Sequence, residues 1–226
     1  ASIMIAEGVL EKPKPASIFG QHVHPSLEVG KIGMRAGMYM ASADELYLTV
    51  NGKGGHGALP HDCIDPILIT SHLIVALQQI VSRNGNPTVP SVLTFGKINS
   101  SGGATNIIPS EVKLMGTEAH NLMKKMVKNM AKAMGGTAKL NITVGYPYLI
   151  NDEVLTTRAR KFSEAYLGVE NVVNLPIRMT AEDFSYYSQK MPACFYRLGT
   201  GNIKKGITSP VHTNTFDVDE DCLKLS

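Results

Sequence analysis

The chain has 226 residues, 43% of them hydrophobic, with 22 Lys and Arg against 19 Asp and Glu and no tryptophan. That is enough apolar material for one large core or two modest ones, and no stretch is biased enough to read as disordered. The small positive balance of +3 comes with no interleaving of lysines and aromatics, and Cys63, Cys194 and Cys222 are too scattered for a disulfide framework or a CxxC zinc site; nucleic-acid binding and a secreted, cross-linked scaffold are therefore set aside.

The start, Ala1-Ser2-Ile3-Met4-Ile5, lacks an initiating methionine and the basic region of a signal peptide, and the apolar runs are too short to span a bilayer. A cytoplasmic chain without membrane contact is the expectation. Ala1 to Leu10 reads as a helix already under way, stopped at Lys12-Pro13-Lys14-Pro15. Ala16 to His24 reads as a short buried strand ending at Pro25. The chain then turns through Gly30, Gly33 and Gly37, and a differently patterned region opens near Met40.

From there the expected order is strand Leu46 to Asn51, helix Asp65 to Arg83, strand Ser91 to Ile98, strand Asn106 to Gly116, helix Glu118 to Met134 and strand Thr137 to Val144. Asp65 reads as an N-cap with Pro66 at the first helical position, and Ile67, Ile74, Leu77 and Val81 as the apolar face. In the second helix Met123, Met126, Val127, Met130, Ala131 and Met134 recur at helical spacing opposite Lys124, Lys125, Lys128 and Lys132. A stripe with that period is core packing rather than a cofactor site. The order β-α-β-β-α-β is that of a split ferredoxin-like sandwich.

After Gly145-Tyr146-Pro147, Asn151-Asp152-Glu153 opens a helix to Leu167 whose packing face is Val154, Leu155, Phe162, Ala165 and Tyr166. Asn171 to Pro176 follows as a strand, then a short helix started by Thr180, then strand Ala193 to Leu198 and a glycine-rich turn at Gly199, Thr200 and Gly201. The segments on either side of the sandwich are too small and apolar to bury themselves separately. We therefore expect three stretches, 1–39, 40–145 and 146–226, with the outer two forming one α/β domain that the middle one interrupts.

The histidines carry the chemistry. His22 and His24 are two apart at a strand end, so both point to one face; they suit a metal ligand pair, a ligand with an orienting neighbour, or plain packing. His212 lies in a polar turn 190 residues beyond His22, yet strand ends of one domain are where such distant loops meet. His56 sits in Gly52-Lys53-Gly54-Gly55-His56-Gly57-Ala58-Leu59-Pro60, which lacks a P-loop ending; it is either an incidental turn histidine or a donor to an oxyanion. Glu182 and Asp183 fit helix capping or a supporting carboxylate role. No serine elbow or singled-out cysteine supports a nucleophilic mechanism, leaving metal-activated water, for which these residues alone supply too few ligands.

Taken in order, Ile18-Phe19-Gly20-Gln21-His22-Val23-His24-Pro25, Val29-Gly30-Lys31-Ile32-Gly33, Gly52 to His61, Asp65-Pro66, Thr105-Asn106-Ile107-Ile108-Pro109, Gly116-Thr117, Gly145-Tyr146-Pro147, Asn151-Asp152, Glu182-Asp183-Phe184 and Gly199-Thr200-Gly201 with His212 resemble the M20 metallopeptidase family, in its branch of N-acyl-amino-acid and auxin-conjugate amidohydrolases. The resemblance implies a zinc-peptidase-like α/β catalytic domain with an inserted ferredoxin-like lid that mediates homodimerisation. It implies His22 and His212 as metal ligands, His56 as stabiliser of the tetrahedral intermediate across a dimer, Asn106 as a contact to substrate, His24, Glu182 and Asp183 as supporting groups, and Gly199, Thr200 and Gly201 as a substrate loop. Two divalent ions (Zn, Mn or Co) per complete protomer, and small N-acyl amino acids or peptides as substrates, follow from the same likeness. A dipeptidase or aminopeptidase, or a non-catalytic module without metals, are the alternatives. The family's upstream ligands and Glu-Glu pair have no counterpart here, and an arginine usual after Gly116-Thr117 is replaced by Glu118-Ala119-His120; we expect residues to be missing at both places, and the chain alone to be inactive.

Overall fold

The computed structural model describes residues 1–88, 91–117 and 121–225. The stretch Glu118-Ala119-His120, where the sequence suggests an omission, lies outside them. The chain divides into two compact units, one of residues 1–42 with 146–226 and one of residues 43–145.

In the first unit, helix α1 (Ser2–Ala6) precedes strand β1 (Ile18–Glu28), β2 (Ile32–Met34) and β3 (Gly37–Met40). After the other unit come β10 (Leu149–Asn151), α4 (Glu153–Leu167), β11 (Val172–Asn174), α5 (Ser185–Ser188) and β12 (Ala193–Gly201). The main sheet has the order β1-β12-β2-β11, mixed in sense, with β1 parallel to β12 and β12 antiparallel to β2. β10 and β3 form a separate antiparallel pair.

Several expectations change in this unit. β1 runs through Pro25 to Glu28, with a register irregularity between His24 and Glu28 that accommodates the missing N–H. Gly199, Thr200 and Gly201 are not a turn: they extend β12, and a side chain at Gly199 or Gly201 would run into the carbonyls of Glu28 or Pro25. The short helix begins at Ser185, not Thr180, and no side chain caps it. On α4 the expected packing face is wrong, since Val154, Phe162 and Tyr166 are exposed. Thr156, Ala159 and Leu167 face inward instead. Arg160 holds an inward place by donating to the carbonyls of Met34, Val172 and Val173 and to Asn174 Oδ1.

The second unit contains β4 (Ala43–Asn51), β5 (Gly55–His56), α2 (Pro66–Gln79), β6 (Thr94–Ser100), β7 (Ile107–Ile108), β8 (Glu111–Thr117), α3 (Asn121–Ala133) and β9 (Thr137–Tyr146). Its main sheet has the order β6-β8-β4-β9, with β8 antiparallel to both neighbours. That order with two crossing helices is the β-α-β-β-α-β sandwich. Leu46, Leu48 and Val50 of β4 and Val112 and Leu114 of β8 meet Leu73 and Leu77 of α2 and Met123, Val127 and Ala131 of α3 in one core. The methionine stripe is thus packing. Asp65 caps α2 by accepting from Ile67 and Leu68 backbone N–H at 2.8 and 3.3 Å. Ile67 is exposed, however, and Ile69 and Leu73 take the inward side.

Candidate active site

His22 and His24 flank the middle of β1 rather than its end, because the strand continues to Glu28, and they lie beside Arg197 and Gly199 of β12 in the parallel register. Gly20 keeps this strand close to its neighbours: a Cβ there would lie 2.7 Å from the rings of Phe184 and Phe195. The His22 Nδ1–H donates to the Val23 carbonyl at 2.8 Å. A carbonyl can only accept, so the neutral ring carries its proton on Nδ1 and leaves the Nε2 lone pair free. That is the tautomer a ligating histidine needs. Burial, reinforced by the charges of Arg178, Arg197 and His22, holds His24 below the usual histidine range, which favours its neutral form.

His212 lies in an exposed turn and is the one residue other than glycine with positive φ among those described, at 66°. Histidine tolerates this left-handed region less readily than glycine, so the turn holds it there. Just ahead of α5, Asp183 uses its backbone carbonyl to accept from Tyr186 N–H at 3.1 Å. Glu182 uses its backbone carbonyl to accept from Ser185 N–H. Neither carboxylate caps a helix.

In the other unit, His56 and Asn106 are 50 residues apart in sequence and adjacent in space. β5 pairs with β7 so that His56 faces Ile107, and Gly57 N–H donates to the Asn106 carbonyl at 2.7 Å. Gly57 permits the approach, for a Cβ there would sit 3.1 Å from that carbonyl oxygen. The His56 Nδ1 accepts from Ala58 N–H at 3.1 Å, so the neutral ring carries its proton on Nε2, the opposite choice from His22. Both His56 and Asn106 are exposed.

Among the described residues no group of three or more His, Cys, Asp or Glu side chains is placed to hold a metal ion. His22 has the right tautomer for a ligand, but these residues do not make up a di-metal centre by themselves. Burial also raises the Cys194 and Cys222 thiols above their usual values, which suits packing rather than attack. Two groups that the sequence reading passed over adjoin the histidines: Arg197, buried in β12, and Arg178, bridged to Met40. A charged residue inside the apolar run Ala193 to Leu198 was the available signal.

Residues 1–225 match the profile of peptidase family M20/M25/M40. The chain belongs to this family. Over 92% of its length this M20 chain is 35% identical to thermostable carboxypeptidase 2 of Saccharolobus solfataricus, covering 55% of that protein. Over 99% it is 34% identical to IAA-amino acid hydrolase ILR1-like 4 of Arabidopsis thaliana, covering 53%. The Bacillus subtilis YXEP protein, described as a dinuclear metal-binding peptidase of the M20 family, superposes with a TM-score of 0.72 at 26% identity, over 98% of this chain and 56% of that one. The M20 chain thus spans about half the length of the relatives it matches. Among its described residues no helix is long and apolar enough to cross a membrane.

Proposed function

We propose that the whole protein hydrolyses the amide bond of a small substrate bearing a free carboxylate, either a short peptide or an N-acyl amino acid. Membership of a hydrolase family supports the reaction class, and the carboxypeptidase relative supports a peptide substrate as well as the IAA-amino acid hydrolase supports an N-acyl one. The observation that carries the reading is the His56 tautomer. With Nδ1 occupied by the Ala58 amide, Nε2–H is left as a donor in an exposed loop beside Asn106, the kind of preorganised donor that stabilises an oxyanion.

In this reading residues 43–145 are a lid that also brings two protomers together, so that His56 of one acts on substrate held by the other. His22 and His212 would bind divalent metal only in company with ligands from outside this chain, and His24, Glu182, Asp183 and the Gly199–Gly201 end of β12 would shape the surroundings.

The test is amino-acid release by the full-length, metal-loaded protein from a panel of N-acetyl amino acids and dipeptides. His56→Ala is expected to lower kcat by about 100- to 1,000-fold, the usual cost of losing an oxyanion donor, with KM changed far less. Absence of release from both substrate classes would remove the hydrolase reading and leave a non-catalytic module.

A further inference from the structure

Among the described residues, Arg197 is a buried cation with no anion paired to it. It is only 4% exposed in the middle of β12, opposite His22. Its Nε reaches Tyr39 Oη at 3.4 Å, its Nη2 reaches the Met40 sulfur at 3.5 Å, and its Cζ lies 5.3 Å from the centre of the Phe195 ring. A phenol, a thioether and a ring face are weak partners, and none carries negative charge.

Arg178 is tied to the same place. Its backbone N–H donates to the Tyr39 carbonyl at 2.9 Å, it bridges Met40, and its own Nε is buried without a hydrogen-bond partner. The charges of both arginines bear on His24. Among the described residues no Asp or Glu forms an ion pair with either one.

A desolvated guanidinium is costly unless an anion is bound to it, and its planar fork of N–H donors matches a carboxylate with two bonds at once. We propose that Arg178 and Arg197 form a carboxylate-binding site beside the His22–His24 segment. The carboxylate comes either from a diffusible small molecule or from an acidic side chain of the protein outside these 226 residues. The site is independent of the hydrolase reading, because it requires binding and no turnover.

Acetate and N-acetylglycine serve as probes against chloride at equal ionic strength, on both the 226-residue chain and the full-length protein. For the chain, Tm is expected to rise by about 3 °C at a tenfold excess over Kd, and the Arg197 Nε–Hε NMR resonance to move with the same midpoint. Arg197→Met and Arg178→Gln should each abolish the response; should Arg197→Met fail to fold, Arg178→Gln and the wild-type resonance still decide. A response in both proteins identifies a diffusible carboxylate. A response in the chain alone identifies an internal side chain that already fills the site in the full-length protein. If neither Tm nor the resonance of the wild-type chain distinguishes carboxylate from chloride, the site does not exist.

Discussion

Asp219 shows how one side chain can tie down a loop. Only 2% exposed, it accepts from Asn202 Nδ2 at 2.5 Å and from Lys205 Nζ at 2.8 Å, while its backbone N–H donates to the Thr200 carbonyl at 2.9 Å. The bonds from Lys205 and then Asn202 lower its carboxyl from the usual 3.8 to about 2. Because the folded value lies below the unfolded one, the ionised group stabilises the fold above about pH 4, and that contribution is lost as pH falls toward 2. Asp219→Asn should therefore unfold at lower urea than the wild type at pH 6, with the gap closing between pH 4 and pH 2. A gap that is constant over this range would mean that the charge is not what matters. None of this network was legible in the sequence, because Asp219 lies 17 and 14 residues of irregular chain beyond Asn202 and Lys205. The histidines were legible as a set, but not their opposite tautomers, since these depend on which backbone group each Nδ1 meets.

Among elements, β10 and β12 are joined by Asn151, which is fully buried. Its Nδ2 donates to the Arg35 and Phe195 carbonyls at 2.8 Å each, and its Oδ1 accepts from Phe195 N–H at 2.7 Å. Asn151→Ala would strand the two buried backbone groups of Phe195 and the half-buried Arg35 carbonyl, a cost of about 3–5 kcal/mol in urea denaturation. A loss below about 1 kcal/mol would show that water or a shift of β10 replaces the bonds. Thr180 starts no helix, but two helix starts were well placed in the sequence: Asp65 before Pro66 caps α2, and Asp152 caps α4 by accepting from Leu155 N–H at 2.7 Å. The inward faces of those helices were not. α2 is apolar nearly all round, so periodicity cannot select Ile69 and Leu73 over Ile67. On α4 the large residues Phe162 and Tyr166 line an open cleft with Phe19, while Arg160 turns inward to bond strand-end carbonyls. Size and hydrophobicity alone pointed the wrong way. The short strands β2, β3 and β10 escaped notice because three or four residues are too few to show a period.

For the molecule as a whole, alternation of helix and strand periods made the central β-α-β-β-α-β order readable, because each of its helices and long strands fills a window wide enough to count. Its physical independence can be tested directly. Residues 43–145 bury their own apolar set, from Leu46 on β4 to Ala131 on α3, within a single core. The two ends of this stretch lie side by side, with Gly145 N–H donating to Asp44 Oδ1 at 3.0 Å, and a Cβ on Gly145 would strike the Ala43 carbonyl. Closing a sheet with its ends together leaves little entropy for an outside segment to remove. The excised 43–145 polypeptide is therefore expected to fold alone, with one cooperative thermal transition by circular dichroism whose midpoint lies within about 5 °C of the matching transition in the whole chain. Gly145→Val, which drives a branched side chain against Ala43, should lower that midpoint in the excised unit and in the whole chain alike. If the excised unit melts without cooperativity, its core depends on the flanking segments, and residues 43–145 could not serve as the self-contained lid of the proposed hydrolase.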